Sequence, residues 1–144
     1  LDRLESYRRR LAAAGIAPDE AMIVRCESTW QDGVSAAERV LASPTRPTAI
    51  VGVNDVMAIG ALRAAAQQGL RVPQDLSVAG FDDVAFAAWT VPALTTVRVH
   101  GVEMGHKAAE LLFRRLQDPN QPPQHELIPP RLIVRESTGP CPRT

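Results

Sequence analysis

The sequence contains few cysteines and histidines, which limits the kinds of site it can form. Cys26 and Cys141 lie far apart, and neither belongs to a Cys-x-x-Cys pair or lies near a histidine. A disulfide scaffold and a zinc site are therefore not expected, and the cysteine content fits a reducing compartment. The histidines are not spaced as metal ligands, and they are His100, His106 and His125. We predict no metal site and assign no cofactor.

The chain also has no net charge, because 16 Lys and Arg residues balance 16 Asp and Glu residues. Without an overall basic field it is not suited to bind nucleic acid or anionic lipid, so contact with DNA would need another part of the protein. No apolar run approaches the roughly 20 residues that span a membrane, and no signal peptide is visible. Leu1 is not a natural start, so we expect further sequence before it.

Short apolar segments alternate with helical segments over the first 81 residues. The predicted strands are 21–26, 48–53 and 75–81, and the predicted helices are 2–14, 33–43 and 55–68, with 27–32 as a loop. The strands are continuous apolar runs rather than alternating ones. That pattern is typical of an α/β fold with a doubly wound parallel sheet that helices cover on both faces.

The alternation of strand and helix ends after Asp83. We predict a strand at 95–99, an amphipathic helix at 103–117, a last strand at 131–137 and a frayed tail. One face of the helix is apolar, with Met104, Ala108, Leu111 and Leu112. The boundary between the two parts falls near 97–101.

Two predicted strands end in a pair of polar residues. Asn54 and Asp55 follow one strand, and Asp82 and Asp83 follow the next. Ligands of an open parallel sheet bind beyond the carboxyl ends of its strands, and a right-handed crossover makes these two ends neighbours. Asn and Asp are also the preferred helix N-caps. Capping alone explains Asp55, and Asp83 is a candidate cap for a short following turn, which leaves Asn54 and Asp82 as ligand candidates.

The adjacent carboxylates of Asp82 and Asp83 have two other interpretations, catalysis and metal binding. An acid–base pair needs two groups in different environments, whereas neighbouring residues at a strand end point apart. A metal would need further oxygen ligands that this stretch lacks. The sequence also has no nucleophile elbow, P-loop or G-x-G-x-x-G motif. We therefore predict no catalytic residue and no enzyme.

Five blocks of sequence, in this order, carry a family resemblance. They are "NDVMAIGAL" (54–62), "GLRVPQDLSVAGFDD" (69–83), "PALTTVR" (92–98), "EMGHKAAELL" (103–112) and "LIVREST" (132–138). Together they closely resemble the effector-binding core of the lac-repressor (LacI/GalR) family of bacterial transcription regulators. The resemblance implies a type I periplasmic-binding-protein-like core of two lobes. A small molecule, often a sugar or nucleoside, would bind between the lobes and change the affinity for operator DNA.

The resemblance also implies a division of the chain. Residues 1–98 would form the C-terminal lobe without its first strand, and 99–130 a crossover and a helix of the N-terminal lobe. Residues 131–138 would be a return strand and 139–144 a tail. The DNA-binding domain and most of the N-terminal lobe would lie outside this chain. We expect a cytoplasmic, homodimeric repressor without membrane contact; the alternative is a periplasmic sugar-binding protein of a transporter.

Particular residues correspond to the family's effector contacts. The Asn of the "ND" block is Asn54, the first Asp of "GFDD" is Asp82, and the Arg that begins the family's R-x-x-G-aromatic helix is Arg3. These side chains suit a polyol, because a carboxylate accepts hydroxyl hydrogens, a guanidinium donates two, and an amide does one of each. Trp30 is the candidate for an aromatic residue stacked on a sugar, and a solvent-facing or packing role is its alternative. Asp83 would then serve the following turn.

The resemblance further implies a dimer surface in the C-terminal lobe. It would involve the helix after "ND" and the segment after "GFDD", with Met57, Leu62, Phe86 and Trp89 as candidates. For Met57 and Leu62 the alternative is a place in the core.

Overall fold

A computed structural model of the chain describes residues 2–142. Its helices are α1 (Asp2–Ala13), α2 (Trp30–Leu41), α3 (Asp55–Gln67) and α4 (Gly101–Gln117). Its strands are β1 (Ala49–Val51), β2 (Ser77–Ala79), β3 (Thr96–Arg98) and β4 (Arg131–Ile133). Two short 3-10 helices lie at Glu20–Met22 and Ala85–Ala88.

The strands form the parallel arrangement that the sequence predicts, with an antiparallel addition. β1 and β2 are parallel, with Ile50 opposite Val78. The chain beyond β2 runs parallel to β3, since the Gly80 amide donates to the Thr95 carbonyl at 2.9 Å. β4 then pairs antiparallel with β3.

The core lies between α3 and the sheet. Small side chains on one face of α3 are fully or nearly fully buried, and they pack near strand and loop residues. The α3 residues are Ala58, Ala61, Ala64 and Ala65, and their partners include Leu76, Val78 and Leu94. This packing fixes the first turn of α3 against the carboxyl ends of the strands.

Two glycines allow α2 and α3 to pack with their backbones in contact. A Cβ atom at Gly33 would lie 2.6 Å from the Met57 carbonyl oxygen, and one at Gly60 would lie 2.6 Å from the Trp30 carbonyl oxygen. Real Cβ contacts are not this short, so both positions require glycine for this separation of the helices.

The predicted strand at 21–26 is wrong. Residues 20–22 form a 3-10 helix whose N-cap is Asp19, and Ile23 is extended with φ −104° and ψ 106°. No other strand between residues 2 and 142 pairs with this segment. Apolar and β-branched residues favour an extended backbone, but a strand also needs a hydrogen-bonded neighbour.

The predicted loop at 27–32 is wrong at its end, because α2 begins at Trp30. Thr29 is the N-cap, and its hydroxyl accepts a hydrogen bond from the Asp32 amide at 3.1 Å. A Thr cap satisfies an amide of the first turn that would otherwise lack a partner. Trp30 is consequently a helix residue rather than a loop residue.

The predicted fraying of the tail is also wrong as far as Pro142, and Arg143 and Thr144 lie outside the described residues. The Val78 amide donates to the Ser137 carbonyl at 2.8 Å, and the Gly139 amide donates to the Ser77 hydroxyl at 3.1 Å. Cys141 Sγ lies 3.6 Å from the Thr48 hydroxyl. The tail therefore runs along the sheet and has hydrogen-bonding partners there.

The helix predicted at 103–117 is confirmed as α4, but its apolar face is exposed. None of its residues is buried among the described residues. The large apolar side chains on it are 48–79 % exposed, and they are Val102, Met104, Leu112, Phe113 and Leu116. No helix between residues 2 and 142 has the length and apolar character to cross a bilayer.

Candidate effector-binding site

The carboxyl ends of β1 and β2 lie side by side. The Gly52 amide donates to the Ala79 carbonyl at 2.9 Å, and the Asp55 amide donates to the Phe81 carbonyl at 2.8 Å. The two polar pairs that follow these strands are therefore on one edge of the sheet. We call this edge, with Arg3, Asn54 and Asp82, the polar rim.

Asn54 is the N-cap of α3. Its backbone is extended, with φ −145° and ψ 173°, and its Oδ1 accepts a hydrogen bond from the Met57 amide at 2.9 Å. The prediction that Asp55 caps this helix is wrong, because the extended residue that precedes the first helical turn is Asn54. The side-chain NH2 group of Asn54 has no partner among the described residues.

Asp55 instead lies in the first turn of α3 and is fully buried. Its Oδ2 accepts a hydrogen bond from the Val84 amide at 2.8 Å, and its Oδ1 accepts one from the Thr96 hydroxyl at 2.5 Å. The site leaves no room for a side chain at Gly80, where a Cβ atom would lie 2.3 Å from Asp55 Oδ1. Asp55 thus joins α3, the loop after β2 and β3.

Asp82 and Asp83 have left-handed backbones, with φ of 113° and 56°. Asp82 is exposed, and its amide donates to the Val97 carbonyl at 2.9 Å. No described residue forms a hydrogen bond with its carboxylate. This carboxylate is available to a ligand.

Asp83 is half-buried as a residue, but its side chain is only 5 % exposed. Arg98 Nε donates to its Oδ2 at 2.5 Å, and Arg135 Nη2 donates to its Oδ1 at 2.5 Å. Burial raises the pKa of the Asp83 carboxyl, but the hydrogen bonds and charges of the two guanidinium groups outweigh burial and hold this pKa below its usual value. We call Asp83, Arg98 and Arg135 the ion triad.

The expectation that Asp83 serves the turn after it is wrong. The N-cap of the 3-10 helix is Val84, and no side chain of the described residues caps it. The carboxylate of Asp83 instead accepts hydrogen bonds from Arg98, at the end of β3, and from Arg135, shortly after β4. Neither Arg98 nor Arg135 was predicted from the sequence, although both lie inside the quoted blocks.

Arg3 lies at the polar rim. Its guanidinium carbon is 3.7 Å from the centroid of the Phe81 ring, a cation–π contact, and its Nη1 donates to the Val53 carbonyl. Val53 precedes Asn54 and Phe81 precedes Asp82. The structure therefore groups the predicted residues Arg3, Asn54 and Asp82.

Trp30 is the first residue of α2, and it is 41 % exposed. No hydrogen bond or aromatic contact of the described residues connects its side chain with the polar rim. Its role as a stacking residue stays a prediction.

The four candidates for a dimer surface differ in exposure. Leu62 is 8 % exposed and belongs to the core cluster, which was its alternative assignment. Met57 is half-buried where α3 packs on α2. Phe86 and Trp89 are 67 % and 72 % exposed, and their rings contact each other edge to face at 5.5 Å. We call Phe86 and Trp89 the aromatic pair.

Residues 2–142 hold no group of three or more His, Cys, Asp or Glu residues that could ligate a metal ion. The chemistry of the polar rim is that of hydrogen bonding: an exposed carboxylate, a guanidinium and an amide.

Comparison with known proteins gives consistent results. The family described as periplasmic binding protein-like domain matches residues 1–138. The chain is 37 % identical to the ribose operon repressor of Haemophilus influenzae, over 94 % of this chain and 41 % of that protein. It is 38 % identical to the HTH-type transcriptional repressor PurR of Escherichia coli, over 95 % of this chain and 40 % of that protein.

One similar solved structure is that of the transcriptional regulator CelR in complex with cellobiose. The TM-score is 0.88 at 34 % identity, and the match covers 94 % of this chain and 41 % of the other. The chain therefore spans about two-fifths of the length of these relatives.

Proposed function

Because this chain belongs to the periplasmic binding protein-like domain family, we propose that it is the C-terminal part of the effector-binding core of a LacI-family transcriptional repressor. A small molecule bound at the polar rim would change the affinity of the whole protein for operator DNA. The observation that carries the proposal is the exposed Asp82 carboxylate, which has no hydrogen-bonding partner among the described residues and lies on the same edge as Arg3 and Asn54.

The chemistry of the rim favours a polyol, that is, a sugar or a nucleoside. Asp82 accepts hydrogens from hydroxyl groups, Arg3 donates through its guanidinium, and the NH2 group of Asn54 donates as well. A hydrogen bond that involves a charged group contributes roughly 1.5–3 kcal/mol, so each contact changes the affinity about tenfold or more. The names of two relatives mention sugars, ribose and cellobiose.

The exposed apolar face of α4 supports the division of the chain into lobes. An amphipathic helix is stable when its apolar face is covered, and α4 leaves Phe113 and Leu116 64 % and 66 % exposed. We assign residues 99–130 to the N-terminal lobe, residues 1–98 and 131–138 to the C-terminal lobe, and residues 139–144 to a tail on it.

The mechanism would be a shift of populations. An effector that binds one arrangement of the two lobes more tightly favours that arrangement by its differential affinity. In a homodimer this would change the relative position of two DNA-binding heads, which read half-sites about one helical turn apart. The protein would act in the cytoplasm, with no catalysis.

The second candidate is a periplasmic sugar-binding protein, which shares the lobe architecture. An exported leader before Leu1 would favour it, whereas a helix-turn-helix domain there would exclude it. The repressors among the relatives favour the regulator. An enzyme is the third class; it predicts turnover of a bound compound.

The test is thermal unfolding of the protein expressed from its complete reading frame, with D-ribose, cellobiose and adenosine as ligands. A ligand that binds only the folded state at 100 times its Kd stabilises it by about 2.7 kcal/mol, so at least one compound should raise Tm. No shift with any of them at millimolar concentration would contradict the proposal. Chemical conversion of a compound that binds would favour an enzyme.

A further inference from the structure

The backbone that presents Asp82 is of a kind that side-chain-bearing residues disfavour. Asp82 and Asp83 are consecutive residues with φ of 113° and 56°. The Cβ atom of an L-residue makes such conformations costly, although Asp tolerates them better than most residues, and they persist where surrounding contacts determine them. The direction of the Asp82 carboxylate therefore depends on contacts made by its neighbours.

Those contacts are numerous, and they leave the Asp82 carboxylate free. Before the turn, the Asp82 amide donates to the Val97 carbonyl at 2.9 Å. After the turn, the Val84 amide donates to Asp55 Oδ2 at 2.8 Å. Within the turn, the Asp83 carboxylate receives one hydrogen bond from Arg98 and one from Arg135, each at 2.5 Å.

The two arginines are held differently. Arg135 is 17 % exposed, and its Nη1 also donates to the Leu94 carbonyl at 2.8 Å, which fixes the guanidinium from the other side. Arg98 is 46 % exposed, and among the described residues its side chain forms a hydrogen bond with Asp83 alone. Replacing Arg98 thus removes one of the two arginine hydrogen bonds to Asp83, at the surface and without creating a cavity in the core.

We propose that Asp83, Arg98 and Arg135 are positioning residues for the effector: the ion triad fixes the left-handed turn that directs the Asp82 carboxylate towards the ligand. Asp83 does not contact the ligand, because its side chain is 5 % exposed and both of its oxygens accept hydrogen bonds from arginine. The inference rests on the proposed function, since it assumes that Asp82 binds the effector.

The position of the arginines extends this role to the connection between the lobes. Arg98 is the last residue of β3, from which the chain continues to α4, and Arg135 follows β4, by which the chain returns. The ion triad therefore connects the loop that carries Asp82 with the segment that leads to α4 and with the segment that returns from it. A change in this connection alters the geometry of the effector contact and the crossover together.

The experiment is a double-mutant cycle in the complete protein, with calorimetric titration of D-ribose, cellobiose and adenosine. Arg98→Gln should weaken binding about tenfold, as expected for the loss of a charged contact through misplacement, and Arg98→Lys should restore part of it. In an Asp82→Asn background, Arg98→Gln should have no further effect, because its influence passes through Asp82. Arg71→Gln is the control, since Arg71 forms a similar exposed pair with Asp75 at 2.8 Å.

Each alternative result is distinct. If Arg98→Gln acted through a general loss of structure, it would weaken ligand binding by the same factor in the parent and in the Asp82→Asn background. That result would overturn the inference. Unchanged binding by Arg98→Gln, or an equal loss in Arg71→Gln, would overturn it too. If the parent protein binds none of the three compounds, the proposed function fails and this inference fails with it. If the parent binds and the Arg98 variants bind equally well, only this inference fails.

Discussion

The charge of Asp83 contributes to the stability of the folded chain. Replacement by Asn keeps the shape but removes the charge that the two guanidinium groups bind, so Asp83→Asn should lower the free energy of unfolding by about 1–3 kcal/mol at pH 7. The pKa of this carboxyl is depressed in the folded state. Its contribution is therefore complete above the unfolded pKa of about 3.9 and is lost as the pH falls through the folded pKa.

Urea unfolding at pH 7 and at about pH 3 measures this contribution. The difference in free energy of unfolding between the parent and Asp83→Asn should be larger at pH 7. It should shrink in acid, because the carboxyl of the unfolded parent takes up its proton there while that of the folded parent still resists protonation. Asp118→Asn, at the end of α4, serves as the control and should show little difference at either pH. A difference between parent and Asp83→Asn that grows in acid would contradict the sign of the pKa change.

The sequence could predict which residues end the strands, but not the task of each one. The pairs Asn54–Asp55 and Asp82–Asp83 were identified because polar residues follow apolar runs. The roles of Asp55 and Asp83 depend on partners far along the chain: Asp55 binds Thr96, and Asp83 binds Arg135, 41 and 52 residues away. No local pattern contains that information, so capping, the local explanation, was wrong for both.

At the level of helices, the crossing of α2 and α3 depends on the lack of a side chain at Gly60. Gly60→Ala would place a methyl group 2.6 Å from the Trp30 carbonyl oxygen, which the helices can avoid only by moving apart. We expect a loss of about 1–3 kcal/mol in the free energy of unfolding, as for other overpacked cores.

Gly105→Ala in α4 is the matched control, because no atom lies within 4 Å of the added Cβ atom. In a helix interior, Ala is favoured over Gly by about 0.5–1 kcal/mol, so this variant should be as stable as the parent or more stable. Urea unfolding of the two variants should give changes of opposite sign. Stabilisation by both substitutions would show that the helices do not pack as closely as described.

The bounds of α1, α3 and α4 were predicted to within two residues, because periodicity and C-terminal glycines are local signals, whereas the start of α2 was predicted three residues too late. The segment 21–26 shows the limit of such signals: it is apolar and extended at Ile23, yet no strand of residues 2–142 lies beside it. The hydrophobic pattern of α4 likewise predicted the helix and its apolar face. The pattern could not predict what covers that face, because it indicates that the apolar side chains are buried but does not specify which part of the protein buries them.

For the molecule as a whole, the aromatic pair is the best candidate for a dimer contact. Phe86 and Trp89 are 67 % and 72 % exposed. Buried Trp residues are frequent at the centres of interfaces, where truncation costs about 2 kcal/mol or more. Trp89→Glu should therefore shift a dimer of the complete protein towards monomer in sedimentation velocity runs, by about 30-fold or more in Kd.

The control for this prediction is Gln74→Glu. Gln74 is exposed and lies in the turn before β2, within the residues assigned to the C-terminal lobe, so an added charge there should leave the oligomeric state unchanged. A parent protein that is monomeric at all concentrations, or a Trp89→Glu variant that dimerises as the parent does, would exclude the aromatic pair as the contact.

The central claim is that the Asp82 carboxylate binds the effector, and one comparison tests it most directly. In the complete protein, Asp82→Asn should keep the Tm of the ligand-free parent within a few degrees, because the side chain is exposed, its carboxylate has no partner among the described residues, and Asn tolerates the positive φ of this position as Asp does. It should lose most of the increase in Tm that D-ribose, cellobiose or adenosine gives the parent. A variant that responds to that compound as the parent does would contradict the account.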